Sequence, residues 1–515
     1  MAISTTAVPG QFTLVLHSHL PWLANHGRWP VGEEWLYQSW ASSYLPLFDV
    51  FERLAADGYT DQVSLGLTPV LAAQLDDPHC TASMYEWLAD WQLRATEAAM
   101  SRDADRADAG RREYLDAGRA LETFETRWRH GGSPLIRGLA TSGVVEILGG
   151  PLAHPFAPLL DPSLRQFSLT EGRADARARW GVDPAGIWAP ECAFAPGMET
   201  EYDRAGVRHF MVDGPTLHGD TALGRPVGDA DVIAYGRDLQ VSYRVWSPKS
   251  GYPGHAAYRD FHTYDHGSGL KRFRVTGRGV PGEAKKPYDP SRVDAVIDRH
   301  VEDFVGHVRQ RLIDESARIG RPALVVAAFD TELFGHWWHE GPVWLERVLR
   351  RLPEIGVDVG TLSGATRSGL VGDPVDLPAS SWGSGKDWRV WNGPAVRHLV
   401  DLNAEVTETA LDAVAKLLDR RRGRNRVADQ IVRELLLTVS SDWPFMVSKD
   451  TAAQYAVSRA HTHAHATREI SDAAMRGRDD AAAILAETWS RADSLFPALD
   501  ARRLHAIGNA EGGIG

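Results

Sequence analysis

The run Ala323-Leu-Val-Val-Ala-Ala-Phe329 is apolar throughout and stops at Asp330. It is too short for a buried helix and reads as a buried strand. The next ten residues, 331–340, add Glu332, His336, Trp337, Trp338, His339 and Glu340. An apolar strand that ends in acids is how a barrel delivers reactive groups to its working face.

The same punctuation recurs along the chain. Phe12–Leu16, Val63–Leu67, Val144–Leu148, Gly186–Trp188 and Phe210–Val212 read as further short strands, with helical spacing between them, as at Ser39–Leu54. Strands alternating with helices imply parallel βα units, hence a doubly wound sheet or a barrel. Residues 83–137 are charged, Ala-rich and helical, and read as an insertion between strands. Residues 243–292 are rich in Gly, Pro, Tyr, His and Lys without periodicity, which marks a functional covering loop. From about Leu399 the pattern is almost wholly helical. The expected division is a catalytic part at 1–398 and a helical C-terminal domain at 399–515.

The composition narrows the partners. A net charge of −12 without a basic stripe argues against nucleic acid or an anionic membrane. No apolar run approaches the roughly 18 residues of a spanning helix. The opening MAISTTAVPG lacks the basic and apolar regions of a secretory signal. Cys80 and Cys192 allow at most one bridge, which fits a reducing cytoplasm. Of 18 tryptophans most belong in a core, but Trp246, Trp337, Trp338, Trp382, Trp388 and Trp391 sit in polar, Gly/Pro-rich sequence. Such rings suit the apolar face of a sugar.

Parallel strands end on one face, so His17, His19, His154, Glu191, Asp213 and Asp330 should converge there. Two carboxylates from different strands suit glycoside chemistry, and a retaining enzyme holds them roughly 5 to 5.5 Å apart. Their pKa values must be pushed apart. The apolar neighbours Phe329, Trp337 and Trp338 favour a proton on Asp330, leaving Glu191 as the ionised nucleophile. His-x-His after a first strand is also how metal-dependent hydrolases collect ligands. That reading stays open at this point, although the acids come with aromatics rather than with more histidines. His461-Thr-His-Ala-His465 reads as a solvated helix surface, and Arg420–Arg426 as a solvated turn between helices.

Five segments, in order, resemble glycoside hydrolase family 57, its 1,4-α-glucan branching members specifically. They are His17-Ser-His19; Glu146-Ile-Leu-Gly-Gly-Pro-Leu-Ala-His154; Trp188-Ala-Pro-Glu191-Cys; Phe329-Asp-Thr-Glu-Leu-Phe-Gly-His-Trp-Trp338; and Ser440-Ser-Asp442-Trp-Pro-Phe445. The resemblance implies a distorted (β/α)7 barrel with a helical insertion and a helical C-terminal domain. It implies a retaining double displacement with Glu191 as nucleophile and Asp330 as acid/base, and no metal or cofactor. His17, His19, His154 and Asp442 would line the donor side. Arg259, Gly277, Trp337, Trp382, Trp391 and Thr451 fall where the family's substrate contacts lie. Thr451 stands where an amide is usual, and small residues near Gly267 and Ser268 replace an aromatic on the acceptor wall. Tyr243 and Tyr252 are both candidates for a loop tyrosine over the site. The implied partners are α-glucan donor and acceptor chains. A same-family α-amylase or 4-α-glucanotransferase is the alternative. The natural glucan, the transferred chain length, the balance of branching to hydrolysis and the oligomeric state are not legible in the residues.

Overall fold

The computed structural model describes residues 8–512, apart from Pro248 and residues 421–422. The basic segment Arg420–Arg426 falls partly outside the described residues. The strands that form the barrel are β1 (Gly10–Ser18), β2 (Val63–Leu67), β3 (Val145–Leu148), β4 (Gly186–Ile187), β5 (His209–Val212), β6 (Ile233–Gly236) and β7 (Ala323–Asp330). β1 is central. It pairs in parallel with β2 from Leu14↔Val63 to Ser18↔Leu67, and with β7 from Gly10↔Ala323 to His17↔Asp330. β2 continues to β3, and β4 to β5 to β6, also in parallel. Two seams close the ring and are thin. β3 meets β4 only through the Gly149↔Ile187 bridge. Just beyond β6, the Asp238 N–H donates to the Val326 carbonyl of β7 at 2.8 Å. The result is a distorted (β/α)7 barrel followed by a helical C-terminal part.

The strands β1 and β7 are buried along almost their whole length, from Phe12 to Ser18 and from Ala323 to Phe329. That is the continuous apolar pattern of a parallel sheet covered on both faces. One of these seven strands escaped the sequence reading. β6 is only four residues long and follows the acidic turn Asp229–Asp231, so neither length nor alternation marks it. Inside the barrel wall, burial works against the Glu146 charge. His209 at 3.0 Å, with Ser64 and Ser363, nonetheless brings its carboxyl down to about 2.

The insertion is an antiparallel pair, α1 (Pro78–Ala99) and α2 (Ala104–Thr123), with Asp103 capping α2 by accepting from two backbone N–H groups. It braces the covering loop: Glu113 pairs with Arg259 at 2.7 Å, and Asp103 with Arg272 at 3.1 Å. That loop is not irregular from its start. α3 (Leu239–Trp246) takes in its first residues, because Asp238 caps a helix whose Val241 and Val245 pack inward. α4 (Asp294–Ile319) returns the chain to β7.

The C-terminal helices are α5 (Arg397–Arg420), α6 (Arg426–Thr438), α7 (Asp442–Lys449), α8 (Ala453–Met475), α9 (Asp479–Ser490) and α10 (Ala501–Gly512). α6 is buried from Ala428 to Thr438, and the turn after it carries residues 439–441 to the barrel mouth. His461 and His465 of α8 are exposed, as a solvated face requires, but His463 between them is not. His463 is fully buried, with Nδ1 2.9 Å from Glu434 and Nε2 2.9 Å from Arg459. Asp493 sits 3.7 Å from His463 and 2.7 Å from His26 of the loop after β1. Burial, then the Asp493 charge, pushes Glu434 well above the carboxylate range, so this acid holds a proton while Asp493 is ionised. The cluster ties the barrel to the C-terminal helices.

Asp493→Ala takes away the acid bonded to His26 at 2.7 Å and leaves that partly buried ring unpaired, which costs roughly 1 to 3 kcal/mol. The urea midpoint of the full chain should fall accordingly, and an unchanged midpoint would show that the cluster ties nothing.

Candidate active site

Four backbone positions set the site. Ala153 and His154 have φ of 55° and 54°, and Glu191 and Cys192 have φ of 61° and 49°. Left-handed backbone at a non-glycine residue costs on the order of 1 to 3 kcal/mol and persists only where the surroundings over-determine it. Here they do. Glu191 lies in a turn closed by Cys192 N–H to the Ala189 carbonyl at 2.8 Å, and its own carbonyl accepts from Trp382 N–H at 2.8 Å. The His154 carbonyl accepts from Ser441 N–H at 2.9 Å.

Both Glu191 oxygens are occupied. Ser441 Oγ donates to Oε1 at 2.7 Å, and Trp382 Nε1 donates to Oε2 at 2.8 Å. The Ser441 hydroxyl lies 2.9 Å from His154 Nδ1, and His154 Nε2 lies 3.1 Å from His17 Nε2. Burial first, then neighbouring imidazoles, holds His17 and His154 well below the ordinary histidine range, so both rings are neutral. With Glu191 as the anion that attacks, the donor directions follow from the acid backwards. Ser441 donates to Glu191 and accepts from His154 Nδ1–H, which leaves His154 Nε2 to accept from His17 Nε2–H. His17 Nδ1 is then a bare acceptor, and it is buried without a partner.

The rings form a stack. His17 lies on Trp188 at 4.5 Å and 9°, and His19 on His154 at 3.6 Å and 17°. Gly66 of β2 makes room for it: a Cβ there would sit 3.2 Å from the Leu16 carbonyl and 3.5 Å from Trp188 Cβ. His19 Nε2 is 3.0 Å from Asp442, whose second donor is Ser440 at 2.5 Å. Burial opposes the Asp442 charge, yet His19 and Ser440 hold its carboxyl below the usual range.

Asp330 ends β7 beside His17 of β1. Burial pushes its carboxyl up to about 6, against the pull of Arg237 and His19. Burial pushes Glu191 further, to about 8, with Ser441 and Trp382 opposing and Asp442 and Asp330 adding to the rise. This reverses the order expected from the sequence, in which Asp330 alone was to hold the proton. The Arg237 charge that draws Asp330 down lies just beyond β6, where the sequence gives no sign of it, while Glu191 faces two further carboxylates.

Several expected residues stand elsewhere. Asp213 is fully buried and paired with Arg237 at 2.8 Å and Lys386 at 2.6 Å, so it lies behind the site. Lys386 also donates to the Trp382 carbonyl, and Arg237 lies 5.4 Å from the Trp382 ring, so Asp213 positions Trp382 at one remove. Trp391 is only 1% exposed and cannot offer a face. Instead its Nε1 donates to the Ser441 carbonyl at 3.2 Å and its ring stacks on Phe156. Trp338 is likewise buried. Tyr252 is buried too, bonded to Asp303 at 2.5 Å and stacked on His300, whereas Tyr243 is 41% exposed. Of the two, only Tyr243 is exposed. Arg259 is tied to Glu113, Gly277 lies further along the same loop, and Thr451 is exposed just beyond α7. Trp337 lies against Trp246 at 5.6 Å.

Ser441, Trp188, Arg237 and Gly66 were not singled out by sequence reasoning. Ser441 was within reach, since it sits inside the Ser440-Ser-Asp442 segment. The metal reading fails on ring geometry. His19, His154 and Asp442 cluster closely enough to hold an ion, but the two imidazoles are stacked almost face to face. Their in-plane lone pairs run side by side in separate planes instead of meeting at one point.

The chain matches the profile of Glycosyl hydrolase family 57 over residues 13–368 and that of the 1,4-alpha-glucan branching enzyme C-terminal domain over residues 403–504. It is 66% identical over 524 aligned positions to a probable 1,4-alpha-glucan branching enzyme of Mycobacterium tuberculosis, covering 98% of this chain and 100% of that one. The crystal structure of a GH57 branching enzyme from Thermococcus kodakaraensis, in complex with glucose and additives, superposes with a TM-score of 0.91 at 28% identity, covering 96% of each chain. The alpha-amylase AmyC of Thermotoga maritima shares the fold, with a TM-score of 0.83 at 24% identity, over 96% of this chain and 99% of that one. With a family match across the whole barrel and a relative aligned end to end, the chain belongs to glycosyl hydrolase family 57.

Proposed function

We propose that the protein is a 1,4-α-glucan branching enzyme working by retaining double displacement. Glu191 attacks C1 of an α-1,4-linked glucosyl unit while Asp330 gives its proton to the departing O4. The C1–O4 bond breaks, and a C1–Glu191 ester forms. Asp330, now ionised, takes the proton from the 6-hydroxyl of an acceptor chain. That oxygen attacks C1, the ester breaks, and an α-1,6 linkage results. The carrying observation is the Glu191 carboxylate itself, both of whose oxygens accept from fixed donors, Ser441 and Trp382. Such donors hold the anion in line for attack and stabilise it as a leaving group in the second step. The names of the Mycobacterium tuberculosis and Thermococcus relatives support transfer over simple hydrolysis.

The proton inventory fits one shared proton. Between about 6 and about 8 the pair carries a single proton. The productive form has it on Asp330. A reacting sugar, whose C1 gains positive charge, favours the anion on Glu191 and draws the pair into that form.

The product class proposed is a branched, glycogen-type α-glucan, made in the cytoplasm. The unbridged, buried Cys80 and Cys192 suit a reducing compartment. Among the described residues no helix is long and apolar enough to cross a membrane.

Glu191→Gln and Asp330→Asn should each abolish turnover of amylose with the fold intact by circular dichroism. More than a few per cent of residual activity in either would overturn the assignment. The pH profile of kcat/KM should be a bell with limbs near 6 and 8. Ser441→Ala removes a donor to the anion, so the basic limb should move upward and kcat should fall about 10- to 100-fold. An unmoved limb would refute the role of Ser441. Exhaustive chelation should leave the rate unchanged, and its loss would reinstate a metal.

A further inference from the structure

The two catalytic carboxyls are held in opposite ways. Both oxygens of Glu191 accept hydrogen bonds from fixed side chains. Among the described residues none donates a hydrogen bond to the Asp330 carboxyl, and Arg237 and His19 act on it through charge alone. Asp330 must nonetheless meet the glycosidic O4 in one step and the acceptor O6 in the next. Its direction therefore has to come from the backbone on either side. On one side β7 is fixed to β1, with His17↔Asp330 as the last pair in register. On the other side the chain leaves the sheet as the turn 331–335.

That turn is gripped by a break in the helix between β1 and β2. The helix runs as Glu33–Ser39 and Leu45–Ala56, and Trp40–Tyr44 between them make a single π turn, closed by Leu45 N–H to the Trp40 carbonyl. Such turns are rare and recur at functional sites. Here three consecutive residues face the turn after Asp330. The Ser43 hydroxyl lies 2.9 Å from the Thr331 carbonyl and 2.5 Å from the Phe334 carbonyl, so its one proton serves both ends of the turn. The Tyr44 hydroxyl donates to Glu332, and the same Glu332 oxygen accepts from His19 N–H at 3.3 Å. Gly335, with φ of 105°, passes so close to the Ser42 carbonyl that a Cβ would run into it. Trp40, at the start of the π turn, is held from behind, edge-on, by Phe124 at 5.5 Å and Trp128 at 5.6 Å. Those two rings belong to a second π turn, at the end of α2.

We infer that Ser43 and Tyr44 are positioning residues for the acid/base: the π turn fixes the backbone that follows Asp330 and so aims its carboxyl at the glycosidic oxygen. The inference rests on the reading of Asp330 as the acid/base. Ser43 and Tyr44 are themselves fully buried, so each acts through the turn 331–335. Without the Ser43 hydroxyl, the two carbonyls lose their shared donor. Without the Tyr44 hydroxyl, Glu332 keeps only the longer bond from His19. The turn then drifts and Asp330 drifts with it, while Glu191 keeps its own donors, Ser441 and Trp382. The loss falls on the steps in which Asp330 moves a proton.

The test compares two donors on the full-length protein. With amylose, O4 departs only as Asp330 protonates it. With α-maltosyl fluoride, the C1–F bond breaks to fluoride ion without a proton while the C1–Glu191 ester forms. Added azide then attacks C1 and breaks the ester, with no proton to remove. In Tyr44→Phe and in Ser43→Ala the amylose rate should fall roughly 10- to 100-fold at unchanged KM, the scale of a misplaced acid. Fluoride release in the presence of azide should stay near the wild type in both. Asp330→Asn should show the same split more strongly, whereas Ser441→Ala, which strips a donor from the nucleophile, should slow both donors. A parallel loss with both donors in Tyr44→Phe and Ser43→Ala, or no loss with amylose in either, would overturn the positioning role alone. Loss of fluoride release together with amylose turnover in Asp330→Asn would overturn the reading of Asp330, and the positioning role with it.

Discussion

The Glu191 carboxylate and its donors are the constraint on which the rest of the site depends. Ser441 and Trp382 reach it from segments 250 and 191 residues away in sequence. For both to arrive, the barrel must turn sharply at Glu191, the 380–388 segment must fold back over it, and the C-terminal helices must dock on the mouth. The left-handed backbone at Glu191 and at His154 is tolerable only because these pieces bond to the strained turns themselves. The barrel alone supplies the acids, and the helical part completes their setting.

That dependence gives the C-terminal helices a chemical role as well as a structural one. The turn between α6 and α7 delivers Ser441 to the nucleophile and Asp442 to His19 in consecutive residues. Behind it, Trp391 grips the Ser441 carbonyl, and the buried cluster of His463, Glu434, Asp493 and His26 fixes the same helices to the loop after β1.

The sequence carried the strand ends plainly, because a buried parallel strand is an unbroken apolar run and its polar terminus is abrupt. His17, His154, Glu191 and Asp330 were legible for that reason. What was hidden depends on the tertiary arrangement. β6 is too short to carry a period. The burial of His463 comes from helices stacking around it, while its own neighbours read as a helix surface. The relative acidity of Glu191 and Asp330 was misjudged from local neighbours, since the Arg237 that lowers Asp330 and the Asp442 that raises Glu191 come from other elements. Trp391 and Tyr252 carried the right residue type for sugar contact, but packing turned both inward.

The central claim is that Glu191 carries the sugar between the two displacements. Incubation with a fluorinated, activated α-glucosyl donor that slows the second displacement, followed by proteolysis and mass spectrometry, tests it directly. The expected result is a single glycosyl adduct on the peptide that contains Glu191, absent from Glu191→Gln and reduced in Ser441→Ala. An adduct on the Asp330 peptide, or turnover of the donor with no covalent adduct at all, would contradict the account.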